Sequence, residues 1–175
     1  AAELTRSLIR EGANVRVIMT EGACEFITPL TLQALSGHEV HTDLLDTEAE
    51  AAMGHIELAR WADALLIAPA SADSIARLVQ GRADDLLGAC ALATPAPVFV
   101  APAMNQEMWA KQATQDNVQT LVSRGIAMLG PSSGTQACGD VGAGRLLEPD
   151  DIVSAVAEHL STGALSGRHV VITAG

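Results

Sequence analysis

The run Ala64-Leu-Leu-Ile-Ala68 leaves this chain little choice of fold. It is apolar at every position, so neither face of the strand it forms can meet water, and such runs belong to parallel strands covered on both sides. Helical patterns flank it: His55 to Ala62 before it, and after it a helix that Ser71 can cap and that reaches Gly81. The alternation continues along the chain. Val15-Arg-Val-Ile-Met19, Pro97-Val-Phe-Val-Ala101 and Ile126 to Leu129 read as strands, and Glu39 to His41 suits a short one. Leu4, Leu8 and Ile9 give an apolar helical face that stops at Gly12, and Thr28-Pro29 opens a helix that Gly37 closes. Further helices are expected over Asp84 to Ala93, Thr114 to Arg124 and Asp150 to Leu160. Strands alternating with helices predict an α/β fold with a doubly wound parallel sheet, in which ligands bind beyond the carboxyl ends of the strands.

Four segments fall at those ends: Thr20, Pro69 to Ser74, Pro102 to Asn105, and the glycine-rich stretch Gly130 to Glu148. The last holds five glycines around Cys138 with almost no hydrophobic periodicity. A connection that long in a compact domain covers or builds a site, and its glycines permit close backbone approach to a ligand. It reads either as a lid that carries a thiol or as a solvent-exposed Ω-loop with an incidental cysteine. Asp43 to Glu50 is an acidic connector of unassigned structure.

Composition narrows the partners. A net charge of -11 disfavours a nucleic-acid backbone or an anionic membrane surface, while a small anion can still be held by backbone amides at helix starts. Three cysteines without a C-x-x-C pair fit a reducing compartment, and no run approaches a membrane span, so a cytoplasmic location is expected. Cys24 and Cys90 read as small core residues. His38, His41 and Asp43 have a loosely metal-like spacing without a second cluster, and no metal site is expected. G-x-G-x-x-G, Walker and G-x-S-x-G patterns are all missing, which leaves dinucleotide, P-loop and serine-hydrolase readings unsupported. The chain opens inside a helical pattern and closes on the strand-like Arg168-His-Val-Val-Ile-Thr-Ala-Gly175, after the linker-like Ser161 to Gly167, so it reads as a piece of something longer.

Taken singly, the polar residues at the strand ends remain ambiguous. His55 begins a helix, where the helix dipole favours the neutral ring; it is a base or donor, or else a surface cap. Asn105 leaves a strand through a proline turn and can either bind a carboxylate, carbonyl or amide, or simply form an Asx-turn. Ser71-Ala-Asp-Ser74 can meet a phosphate or a planar heterocycle, or only cap its helix. Met104, Met108 and Trp109 are apolar walls or plain packing.

Together they say more. His55-Ile-Glu-Leu-x-x-Trp-Ala-Asp63, Ala68-Pro-Ala-Ser-Ala-Asp73, Pro102-Ala-Met-Asn105 and Gln136-Ala-Cys-Gly-Asp-x-Gly-x-Gly-Arg145 occur in this order. The set resembles the flavin-dependent cysteine decarboxylases, in particular the phosphopantothenoylcysteine decarboxylase half of bifunctional bacterial coenzyme A biosynthesis proteins. The resemblance implies a Rossmann-like (flavodoxin-like) sheet lacking its first strand here. The family's N-terminal strand and the loop that holds the flavin phosphate have no counterpart ahead of Ala1. It further implies a decarboxylase domain over residues 1–160, a linker over 161–167, and in 168–175 the first strand of a ligase domain that uses CTP and Mg2+.

The implied reaction is the FMN-dependent conversion of 4′-phosphopantothenoylcysteine to 4′-phosphopantetheine and CO2. It passes through a thioaldehyde that loses CO2 and an ene-thiolate that is protonated and reduced. By the same resemblance His55 acts in the oxidative decarboxylation, Asn105 orients the substrate carboxylate and amide, and Cys138 donates the proton of the reductive half. Thr20, Ser71, Ala72, Asp73, Ser74 and Ala103 match flavin contacts; Asn105, Met108, Ala137, Cys138, Gly139 and Arg145 match substrate contacts. The family assembles as trimers, often four together as a dodecamer, with the histidine near the trimer interface. A flavin prenyltransferase-like enzyme, a regulatory flavoprotein and a binding module for another nucleotide are the competing readings. The Ala-Cys-Gly-Asp and Pro-Ala-Met-Asn motifs favour the decarboxylase.

Overall fold

A computed structural model describes residues 1–44, 54–135, 139–160 and 165–174. Its helices are α1 (Ala2–Arg10), α2 (Glu21–Phe26), α3 (Pro29–Ser36), α4 (His55–Trp61), α5 (Ala72–Gln80), α6 (Leu86–Ala93), α7 (Gln106–Ala110), α8 (Gln112–Ser123) and α9 (Pro149–His159). Its strands are β1 (Asn14–Met19), β2 (Val40–His41), β3 (Ala64–Ala70), β4 (Val98–Pro102), β5 (Ala127–Met128), β6 (Ser132–Thr135), β7 (Val141–Arg145) and β8 (His169–Ala174). Six of them form one sheet in the order β2-β1-β8-β3-β4-β5, parallel at every pairing.

Burial on both faces explains the unbroken apolar strands. Leu66 and Ala68 of β3, Val15 and Val17 of β1, Phe99 of β4 and Val170 and Ile172 of β8 pack on one side with Leu4, Leu8, Leu32, Ile152 and Val156 from α1, α3 and α9. The alternate residues turn the other way. Leu65, Ile18 and Val171 meet Leu58 of α4 and Leu86 of α6, while Ile67 and Val100 meet Ile75 of α5 and Leu121 of α8. Each fully buried Leu, Ile or Val contributes about 1.5–3 kcal/mol of transfer free energy, so the two apolar layers hold the sheet rigid beneath its carboxyl edge.

Several expectations hold to the residue. Pro29 begins α3 and Gly37 ends it in the left-handed region at φ 72°. Ser71 caps α5 by accepting the Ser74 N–H at 3.1 Å. Thr28 stands at the N-cap, yet its side chain makes no cap bond and lies 3.0 Å from the Thr31 hydroxyl. Two short helices, α2 and α7, were not expected. The stretch 130–148 is not an irregular loop either, because β6 and β7 pair antiparallel within it. The acidic connector falls mostly outside the described residues.

The largest departure concerns the last strand. Residues 168–175 were expected to open a separate domain. Instead β8 fills the position between β1 and β3, pairing Asn14 with His169 and Ile67 with Thr173. Val170, Val171 and Ile172 are at most 1% exposed, the burial that an apolar β-branched run obtains only in mid-sheet. Asp63 fastens the lower end of the strand by accepting the His169 N–H at 2.9 Å. The His169 ring stacks on Trp61 at 4.3 Å, with Arg16 above the indole at 5.6 Å.

Candidate active site

β1 and β3 end on either side of β8, and the residues that follow them line a cavity of about 370 Å3. Thr20, Glu21 and Gly22 come from the end of β1, and Ser71, Asp73 and Ser74 from the turn after β3. Local chemistry fixes the hydroxyls. Thr20 caps α2 by accepting the Ala23 N–H at 3.2 Å, and the Ser71 and Ser74 hydroxyls are 2.9 Å apart. Of the six residues matched to flavin contacts, Thr20, Ser71, Asp73 and Ser74 line this cavity. Ala72 and Ala103 do not.

The far wall was not foreseen. Arg77, Arg82, Asp84, Asp85, Leu87 and Gly88 close it. Arg77 reaches Asp84 at 2.8 Å, Asp85 at 3.4 Å and Asp73 at 3.9 Å, and Arg82 pairs with Asp84 as well. Hydrogen bonds from both guanidinium groups hold the Asp84 carboxyl down at about 2. Exposed pairs of this kind add little stability one by one; their effect here is to fix where the wall stands. Asp85 caps α6 by accepting the Gly88 N–H at 2.7 Å. The Arg77 signal was present in the sequence as Asp73 and Arg77 one helical turn apart, followed by Arg82-Ala-Asp-Asp85.

Gly88 makes the wall possible. A Cβ at this position would collide with the carbonyl oxygen of Arg82, a backbone atom that cannot swing aside. Gly88→Ala is therefore expected to cost about 1–3 kcal/mol. For a chain of this size that lowers Tm by about 2–4 °C per kcal/mol, which differential scanning calorimetry can measure. A Tm within 1 °C of the original, on a roughly calibrated scan, would show that the wall relaxes around the methyl group.

A second set of hydrogen bonds runs from the end of β3 to β7. The Ala103 N–H donates to the Ala70 carbonyl at 3.0 Å, joining the segment after β4 to the last residue of β3. The Met104 N–H donates to the Gly144 carbonyl of β7 at 2.9 Å. Asn105 then caps α7, its Oδ1 accepting the Glu107 N–H at 2.8 Å while its Nδ2 donates to Asp140 Oδ2 at 3.1 Å. Met108 is about half exposed on α7. Gly139 is exposed at φ 90°, and Arg145 at the end of β7 pairs with Glu148 at 2.6 Å. Ala137 and Cys138 lie outside the described residues.

His55 stands apart from this assembly. It is the first residue of α4, which packs on α6, and it does not line the cavity. Its Nδ1 is buried with no hydrogen-bond partner among the described residues. Its carbonyl accepts the Cys90 thiol at 3.6 Å. Burial, with Asp85 nearby, pushes that thiol up to about 12, so Cys90 is an inert core residue as expected. No cluster of metal-ligating side chains occurs among the described residues, and no helix there is long and apolar enough to cross a membrane.

Comparison with known proteins agrees with this arrangement. The chain is 57% identical over 174 residues to the coenzyme A biosynthesis bifunctional protein CoaBC of Vibrio cholerae, covering 99% of this chain and 44% of that protein. It thus spans less than half the length of the curated relatives it matches. Among solved structures it is similar to a cysteine-to-serine mutant of PPC decarboxylase complexed with pantothenoylaminoethenethiol, at 32% identity and a TM-score of 0.77, covering 91% of this chain and 92% of that one. It also matches the FMN-dependent cysteine decarboxylase SpaF at 34% identity and a TM-score of 0.70, over 85% of this chain and 78% of that one. The flavoprotein family model matches residues 1–161. The cavity at the sheet's carboxyl edge and these matches agree on one conclusion: the chain belongs to the flavoprotein family.

Proposed function

We propose that this chain is a decarboxylase unit that converts 4′-phosphopantothenoylcysteine to 4′-phosphopantetheine and CO2 with the help of FMN, as a step in coenzyme A biosynthesis. The observation that carries the reading is the continuous hydrogen-bonded surface from Ala70 through Ala103, Met104 and Asn105 to Gly144 and Asp140. It leads from the last residue of β3, next to the Ser71 that lines the cofactor-sized cavity, to the Asn105 amide, which suits a substrate with one end reacting beside a bound ring.

The residues present fit FMN. The cavity falls within the range of cofactor pockets, about 300–1,000 Å3, and the Thr20, Ser71 and Ser74 hydroxyls line it. Those three, with Ala72, Asp73 and Ala103, are the residues that would hold it. FMN, when bound, supplies the oxidation of the cysteinyl side chain and returns the electrons after CO2 has left. The protein does the rest. Asn105 holds the substrate carboxylate and amide, Met108, Ala137, Gly139 and Arg145 enclose the substrate, His55 acts as base in the decarboxylation, and the Cys138 thiol protonates the carbon of the ene-thiolate.

His55 lies off the cavity lining, its helix exposes Ile56, and α6, on which that helix packs, exposes Leu92. Both features support a site completed by a second copy of the chain, and a homo-oligomer built from trimers, as in a dodecamer, is the assembly we propose. The location proposed is the cytoplasm. The decarboxylase unit takes in residues 1–160 together with β8. In a protein of the relatives' full length, a phosphopantothenate–cysteine ligase using CTP and Mg2+ would occupy the remainder.

The test is the Cys138→Ser protein, supplied with FMN and 4′-phosphopantothenoylcysteine. It is expected to release CO2 at close to the original rate while an oxidised product accumulates in place of 4′-phosphopantetheine, as resolved by mass spectrometry. Full formation of 4′-phosphopantetheine removes Cys138 from its role. No CO2 from the unsubstituted protein removes the reading itself.

A further inference from the structure

We infer that Asp140 is a positioning residue that sets which way the Asn105 amide faces; the inference rests on the function proposed above. An asparagine side chain can be turned end for end with little change in shape, and only its surroundings decide where the donor and the acceptor lie. At Asn105 both ends are committed. Oδ1 receives the Glu107 N–H at 2.8 Å, a group that can only donate. Nδ2 gives a hydrogen to Asp140 Oδ2 at 3.1 Å, and a carboxylate oxygen can only accept. Turning the amide over would set donor against donor at Glu107 and oxygen against oxygen at Asp140. The N-cap alone selects the orientation weakly; the carboxylate from the opposite element makes the choice decisive.

The remainder of that element is built to bring Asp140 to this place. Every second residue from Asp140 meets the segment that carries Asn105. Gly144 accepts the Met104 N–H at 2.9 Å, and Gly142 lies so close to Gln106 that a Cβ would collide with its Oε1. A side chain at 142 would have to displace the Gln106 side chain, so glycine there lets β7 lie close to α7. One backbone hydrogen bond and one close approach thus flank a contact between residues 35 apart in sequence.

The experiment compares Asp140→Ala with Asp140→Asn in the FMN-loaded full chain. Asparagine is of the same shape and can still offer an oxygen to Asn105; alanine cannot. Loss of one such hydrogen bond is expected to lower kcat/KM for 4′-phosphopantothenoylcysteine about tenfold in Asp140→Ala, carried mainly by KM, with flavin absorbance and Tm unchanged. Asp140→Asn should stay within about threefold of the original. In parallel, the Asn105 side-chain NH2 resonances, assigned by NMR in the unsubstituted protein, should move in Asp140→Ala. Unchanged kcat/KM in Asp140→Ala, or Asn105 resonances that do not move, overturns the assignment. Equal loss in both variants together with a lowered Tm overturns it too, by marking Asp140 as a merely structural acid. An unsubstituted protein that releases no CO2 overturns the proposed function and with it the substrate role of the pair, an outcome distinct from failure of the variants in an active protein.

Discussion

His55→Asn is expected to lose CO2 release by about a thousandfold, the scale of a missing general base, while keeping its flavin. The two halves of that expectation come from separate facts. His55 lies outside the lining of the cavity that Thr20, Ser71 and Ser74 form, so its removal leaves those hydroxyls in place. The bond it does make, from the Cys90 thiol, goes to its main-chain carbonyl and survives any change of side chain. The Nδ1 that is lost has no hydrogen-bond partner among the described residues, so no acceptor or donor there is orphaned. Fold and cofactor content should therefore be unaltered, as read by the circular dichroism spectrum and the visible flavin absorbance. CO2 release within tenfold of the original would exclude His55 from the chemistry.

Asn105→Asp carries the second large effect. The change keeps the shape of the side chain and keeps an oxygen for the Glu107 N–H, since Asp caps helices as well as Asn. It replaces the Nδ2 donor, however, with a second carboxylate oxygen 3.1 Å from Asp140 Oδ2. Like charges set against each other cost several kcal/mol, and the substrate carboxylate adds a third negative group to the same place. About 2.7 kcal/mol corresponds to a hundredfold, and a loss of kcat/KM of at least that size is expected from steady-state kinetics. The site-sharing proposal adds a further arm. Mixed and reassembled with His55→Asn, the Asn105→Asp chains should regain activity, because some sites then draw the intact histidine from one copy and the intact asparagine from another. A mixture as inactive as its components would place both residues in one chain's own site.

The sequence made some parts of this structure plain and hid others, for physical reasons. β3 was legible because burial on both faces demands an uninterrupted apolar run, and α3 because proline and glycine mark its two ends. α2 and α7 were not, because six and five residues are too few to show a helical period. The β6–β7 hairpin escaped notice because its strands are rich in glycine and serine, and alternation needs side chains to be seen. β8 announced itself as a buried strand, yet nothing in a strand names its neighbours; the pairing of Asn14 with His169 is a long-range choice made by the whole sheet. Among the site residues, Thr20, Ser71, Asp73 and Ser74 could be placed because they follow strand ends, where such folds bind ligands. Asp140 lay inside a recognised motif without a role, because its partner is on another element.

β8 also governs how the molecule must come into being. β2 and β1 form one half of the sheet and β3, β4 and β5 the other, and β8 alone hydrogen-bonds to both halves. Of the described strands it comes latest along the chain. Until it arrives, β1 and β3 each present a bare apolar edge, and Thr20 and Ser71 have no common frame to hold them at one cavity. Joining contacts so distant along the chain is slow, and exposed strand edges invite pairing with other chains in the interval. The two halves of the sheet are therefore most exposed to such pairing while β8 is not in place, and the cavity takes shape only once β8 has joined them.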